Sequence, residues 1–197
     1  MRKISSILPS ANSPITELDL QAALYELVVH NRTAVDEILL YYPLSDYHTP
    51  QLQASAIITD WFFGCETQRS LQSIHKYGHV DTYSYHFTYN LSFIESYLLG
   101  TYHGSELFFV FNKNIPIVHS FTKHDKHIAE LFGTYFTNFV KSHNPNTPVK
   151  LQTVNVAWPE YSFDTPDNIA INTAPSIEHN YNAHKCMLWN EINENVR

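Results

Sequence analysis

The sequence predicts an α/β fold, rich in helix with a few strands, from three observations. Over residues 123–141, Ile128, Leu131, Phe132, Tyr135, Phe136, Phe139 and Val140 recur at three- and four-residue spacing, which lines one face of a helix. Over 83–89, Tyr83, Tyr85, Phe87 and Tyr89 alternate with Ser84, His86 and Thr88, the two-residue period of a half-buried strand. The run NIAIN at 168–172 reads as a further short strand, and no repeat, low-complexity tract or linker divides residues 1–197.

The remaining elements follow in order. Ser13-Pro14 predicts a helix start, with proline at the first helical position, and Leu20, Ala23, Leu24, Leu27 and Val28 form its apolar face. A second short helix is expected over 35–41, stopped by Pro43, and a third starts at Thr49-Pro50 with Ile57, Ile58, Trp61 and Phe62 on its buried side. Thr122 and Asp125 form a capping box ahead of the long helix. After it, SHNPNTP at 142–148 is dense in turn formers and predicts a loop, and 184–192 reads as a closing helix. These apolar faces are core and carry no chemistry.

Composition narrows the function classes. With 3 Trp, 13 Tyr and 12 Phe but only 5 Gly, the interior is aromatic and tightly packed rather than disordered. A net charge of −7, with 12 Lys and Arg and no basic run, leaves no electrostatic footprint for a nucleic acid or an anionic membrane. No apolar stretch reaches the roughly 20 residues that span a bilayer. The opening MRKISSILPSANSP lacks the apolar segment of a secretory signal, which taken literally leaves the chain in the cytosol. Two features point the other way: Asn31-Arg-Thr33 and Asn90-Leu-Ser92 are acceptor sequons for N-glycosylation, and there are two cysteines, Cys65 and Cys186. Alone, the cysteines read as two unrelated buried thiols.

Twelve histidines raise the question of a metal, above all His75 with His79, and His119, His124 and His127. No HExxH or CxxC partner accompanies them, and a structural site needs three or four ligands in fixed geometry. No metal and no cofactor are therefore expected. His103 differs in context. It follows a predicted strand, lies between Gly100 and Gly104 and precedes an apolar run, the kind of loop at a sheet edge where α/β enzymes place reacting groups.

GTYHGSELFFVFN at 100–112 resembles the catalytic-histidine motif of the type B carboxylesterase and cholinesterase family. FVKSHNPN at 139–146, WPEY at 158–161 and CMLWNEI at 186–192 resemble further motifs of that family in the same order. Upstream, ITDWFFGC at 58–65 resembles its Asp-x-x-Phe-x-Cys, with Glu66 where proline is usual. The resemblance implies the C-terminal part of a single α/β-hydrolase domain, spanning 1–197, with His103 as the general base of ester hydrolysis. Glu106 matches the glutamate of the histidine motif and supports its loop; Asp60 matches a structural aspartate. Cys65 and Cys186 match a disulfide tying the flank of the sheet to the last helix. Such a bridge adds up to about 5 kcal/mol in the chain-entropy model and implies an oxidising compartment, secreted or lumenal. In that setting Asn31 and Asn90 become credible acceptors. The family resemblance also implies a small-molecule ester as substrate of the complete protein and a dimer contact near the last helix.

The histidine's partners are missing from the sequence. In this fold the chain order is serine, acid, histidine. No G-x-S-x-G occurs in residues 1–197; Gly104-Ser105-Glu106 follows the histidine and lacks the glycine pattern. No HGGG-like segment supplies oxyanion-hole amides. Asp36-Glu37 superficially imitates the acid motif but continues into Ile38-Leu39-Leu40 within a helical pattern, so it reads as a solvated helix start. Three functions fit: the C-terminal segment of a serine carboxylesterase, a cholinesterase-like adhesion or binding module that has lost the serine, or an inactive truncated product. In the first two cases the N-terminal part of the same domain is the partner these residues need. Half a sheet exposes an edge and an apolar face. The 197-residue chain expressed alone is therefore expected to be insoluble or molten, and a cooperative unfolding transition of the monomer would contradict this.

Overall fold

In the computed structural model, which describes residues 14–78, 80–91, 101–113, 120–149 and 156–196, helix α1 (Glu17–Leu27) starts later than Ser13-Pro14 suggests. The reason is the cap. The Thr16 side chain accepts from Asp19 N while the Asp19 carboxylate accepts from Thr16 N, a reciprocal box that satisfies two otherwise orphaned amides. Helix α2 (Arg32–Tyr41) likewise starts earlier than the periodicity implied, because Asn31 Oδ1 accepts from Ala34 N at 3.2 Å. Helix α3 (Pro50–Thr59) has the expected Thr49 cap and Pro50 at its first turn. Its expected apolar face is only partly buried. Ile57 is fully buried, whereas Ile58 and Phe62 are 44% and 51% exposed. The chain passes into a π turn over Asp60–Gly64, closed by Cys65 N donating to the Asp60 carbonyl, and the wider turn shifts the phase of the face that follows. Helix α4 (Cys65–Gly78) continues from it.

The residues form two compact units, one through Ser70 and from Asn182 onward, the other Leu71–Tyr181. In the first, Leu24, Val35, Ile38, Ile57 and Trp189 form the core; Trp189 lies on the closing helix α7 (Ala183–Val196). At its centre Asp60, 3% exposed, accepts from the Tyr42 hydroxyl at 2.9 Å and from Asn182 Nδ2 at 2.6 Å. Lys185 Nζ stands 4.0 Å from the same carboxylate and 4.5 Å from the centre of the Tyr42 ring, and Trp189 Nε1 donates to the Tyr42 hydroxyl at 3.0 Å. A charge taken from water survives only with such partners.

The second unit holds a three-stranded sheet in the order β1 (Tyr85–Phe87), β2 (Asp167–Ile171), β3 (Ser176–His179). Strand β1 is parallel to β2, with Tyr85 opposite Ile169 and Phe87 opposite Ile171, and β3 is antiparallel, with Ile169 opposite Ile177. This register puts Tyr85, Phe87, Ile169, Ile171 and Ile177 on one face and His86, Asn168 and Glu178 on the other. The ladder covers less of 83–89 than the alternation predicts. Beyond it Tyr83 meets Trp158 edge-on, and the Tyr89 hydroxyl donates to Asp125 at 2.7 Å. The sequence reading lacked β3, whose four residues include one aliphatic side chain.

A short helix α5 (Leu107–Val110) precedes the long helix α6 (Lys123–Ser142). Asp125 and Thr122 form the expected capping box, and Ile128, Leu131, Phe132 and Tyr135 are buried. Phe139 and Val140, 42% and 77% exposed, were expected in the core but lie on the last turn. His143 ends the helix in the left-handed conformation at φ 58°. Asn138 holds the loop that follows, donating to the Pro145 and Val149 carbonyls and accepting from Val149 N.

Buried tyrosines give the fold an alkaline limit. Burial, and then the Asp60 carboxylate, push the Tyr42 hydroxyl well above its usual range; burial does the same at Tyr135 and Tyr161, and at Tyr85 with help from Glu106. Below the unfolded value of about 10 these groups are protonated in both states, and their contribution is complete. Above it the unfolded chain releases protons that the native state retains, so stability falls as pH rises. The protein's denaturation midpoint should hold up to about pH 10 and fall as pH rises above it, more steeply than in Tyr42→Phe. An unchanged midpoint in the native sequence would contradict this burial effect.

Candidate functional site

His103 is exposed on a turn, and the residues around it are anchored rather than loose. Ser105 N donates to the Tyr102 carbonyl at 3.0 Å and Leu107 N to Gly104 at 3.2 Å, two successive tight turns. Gly104 adopts φ 84°, left-handed backbone that costs a non-glycine residue roughly 1–2 kcal/mol. Glu106 then precedes α5 and its carbonyl accepts from Phe109 N and Val110 N.

Aromatic packing fixes the turn. Phe109 is fully buried and touches Phe87 at 5.7 Å, Tyr89 at 5.6 Å and Phe121 at 5.3 Å between ring centres. On the other side of His103, the Thr101 hydroxyl donates to Asn90 Oδ1 at 2.6 Å, tying the turn's entry to the chain leaving β1. The sequence reading missed both supports. The apolar run after Gly104 signals a buried anchor without saying which of its residues is one, and nothing in the sequence pairs Thr101 with Asn90.

Ser105 deserves comparison with the nucleophile it imitates. Its side chain is fully buried and Oγ has no hydrogen-bond partner among the described residues. A hydroxyl enclosed in this way has neither access to a substrate nor a base beside it.

The remaining expected site residues are distributed between the units. His103 and Glu106 lie together on the turn in the second unit; Asp60, Cys65 and Cys186 lie in the first. Cys65 Sγ and Cys186 Sγ are bonded, with Cα atoms 5.1 Å apart. The bond joins the first residue of α4 to α7. Asp60 sits at the centre of the buried hydrogen-bonded network described above, a structural setting. Asp36 and Glu37 are exposed on α2, where Arg32 Nε lies 3.7 Å from Asp36. Asn31 and Asn90 are both exposed. His79, Gly100 and His119 lie outside the described residues, and among those described no group of three His, Cys, Asp or Glu could hold a metal. No described helix is long and apolar enough to cross a membrane.

An exposed imidazole on a rigid turn can accept and return a proton at a site presented to it. Helices packed on a small mixed sheet, with this turn leaving the sheet region, fit the C-terminal part of an α/β-hydrolase fold. The family model described as the carboxylesterase family matches residues 3–189, and the chain belongs to that family. It is similar to acetylcholinesterase of Bungarus fasciatus, 28% identical over 95 residues that make up 48% of this chain and 15% of that protein. It is similar to neuroligin-2 of Homo sapiens, 30% identical over 107 residues, 46% of this chain and 13% of that protein. A third relative, neuroligin-3 of Macaca mulatta, is 29% identical over 107 residues, 46% of this chain and 52% of that sequence. The chain thus spans under a sixth of the first two relatives, at 15% and 13%.

The two residues between His103 and Glu106 separate strain from packing. Gly104→Ala should destabilise the protein by roughly 1–2 kcal/mol through backbone strain, because the added Cβ would meet only Leu107 Cδ1, at 3.9 Å. Ser105→Ala should be neutral or stabilising, since it removes a buried hydroxyl without a partner among the described residues. Thermal or denaturant unfolding of both variants checks the pair, and a large loss in Ser105→Ala would contradict the packing described.

Proposed function

We propose that this chain is the C-terminal segment of a serine carboxylic ester hydrolase and that His103 is its general base. The single observation that carries this reading is the placement of His103, exposed on a glycine-turned, aromatic-anchored loop in a chain of the carboxylesterase family. The imidazole would take the proton from a serine hydroxyl as it attacks the ester carbonyl and return it to the departing alcohol. Glu106 would brace the turn rather than transfer protons. Serine, acid and oxyanion-hole amides would come from the N-terminal part of the same domain, so the segment alone is inactive. The Cys65–Cys186 bond supports a secreted or lumenal parent.

A second reading is a non-catalytic, cholinesterase-like adhesion or binding module. It is favoured by the absence of any G-x-S-x-G from residues 1–197. The coding sequence upstream of Met1 separates the two: a continuous frame with the serine elbow and a loop acid supports the hydrolase, and a frame without the serine supports the module.

In the complete parent, His103→Ala should abolish ester hydrolysis while the unfolding midpoint stays within the range of other exposed substitutions. Unchanged turnover would remove His103 from the base role. A fluorophosphonate, which attaches only to an activated serine, should label the parent and leave the 197-residue chain unlabelled.

A further inference from the structure

We infer that Asn31 is an N-glycosylation acceptor whose carboxamide serves two purposes, with Oδ1 capping α2 and Nδ2 carrying the glycan. The inference rests on the proposed passage of the parent through an oxidising lumen.

The tripeptide Asn31-Arg32-Thr33 is a complete sequon with no proline at its centre, and all of its residues are exposed. It follows a tight turn in which Val29 and His30 are both left-handed, at φ 54° and 67°. Asn31 Oδ1 accepts from Ala34 N at 3.2 Å, which satisfies one of the free amides of the first turn of α2. Nδ2 makes no hydrogen bond among the described residues. The atom that a glycan would use is therefore one that the described residues leave unused.

The co-reactant is an oligosaccharide linked to a polyprenyl pyrophosphate. The bond from C1 of its first sugar to the pyrophosphate oxygen breaks, and its electron pair leaves with the lipid pyrophosphate. C1 bonds to Asn31 Nδ2, which gives up one of its two protons to a base. The carbonyl oxygen is unchanged, so the cap persists in the glycosylated protein. Asn90 is also exposed, but its Ser92 lies outside the described residues, so the argument is made for Asn31 alone.

Three substitutions separate cap from acceptor. Thr33→Ala breaks only the sequon. Asn31→Asp removes Nδ2 but keeps an oxygen of equal capping strength, and Asn31→Ala removes both. The parent polypeptide is expressed in a secretory eukaryotic host, and the peptide containing Asn31 is mapped by mass spectrometry with and without a glycan-removing amidase. Both secreted and lumenal pools are analysed, so a variant that folds poorly still reports. The expected result is an amidase-sensitive glycan on Asn31, absent from all three variants, with the unfolding midpoint lowered only in Asn31→Ala once the native protein is deglycosylated. An unmodified Asn31 overturns the inference. Alkylation of the same samples shows which premise has failed. If Cys65 and Cys186 are bonded, the glycan assignment alone falls; if they are free, the oxidising compartment falls with it.

Discussion

The candidate site depends on the burial of one aromatic face of a small sheet. Tyr85, Phe87, Ile169 and Ile171 share that face because of the β1–β2 register, and Phe132 of α6 meets both Tyr85 and Phe87, at 5.7 and 5.6 Å. Phe109 enters the same cluster from the histidine turn. Each such aromatic pair adds roughly 0.5–1.5 kcal/mol beyond area burial, and together they make the loop's position a property of the core. A histidine held by loop backbone alone would sample many orientations; here the anchor six residues on fixes where the turn begins and ends.

The other unit is organised around a charge. Asp60 is taken almost wholly out of water, which costs several kcal/mol unless hydrogen bonds and an opposite charge offset it. Tyr42, Asn182 and Lys185 provide them from α2's end, the approach to α7 and its first turn, segments distant in sequence. The Cys65–Cys186 bond joins the two sequence regions that the network also joins, so covalent and polar ties act on one pair of helices. Removing a single partner would leave a buried carboxylate short of donors, which is costlier than losing the whole group.

Much of this was legible in the chain. The capping box at Thr122 and Asp125, the helix start at Thr49-Pro50 and the apolar face of α6 are local, set by residues within one or two turns of each other. The family was legible in ordered motifs, and with it the positions of His103, Cys65 and Cys186. Errors arose where local rules competed. Pro14 signals a helix start, yet a reciprocal cap at Thr16 and Asp19 satisfies more amides and wins. Ile58, Phe62, Phe139 and Val140 fit apolar periodicities but are exposed, because periodicity states which face is apolar and not how far the facing core extends. Strand β3 escaped because Ser176–His179 gains its conformation from pairing with β2 rather than from its own composition.

By itself the sequence determined the helix caps, the periods of the main elements, the family and the absence of a serine elbow from these residues, all of which are matters of residue type and short spacing. The tertiary structure alone decided that Phe109 and the Thr101–Asn90 bond hold the histidine turn, that Ser105 is enclosed, and that Asp60 is a buried hub. Those outcomes depend on which distant segments exclude water from one another, and burial of that kind is created only when the chain folds.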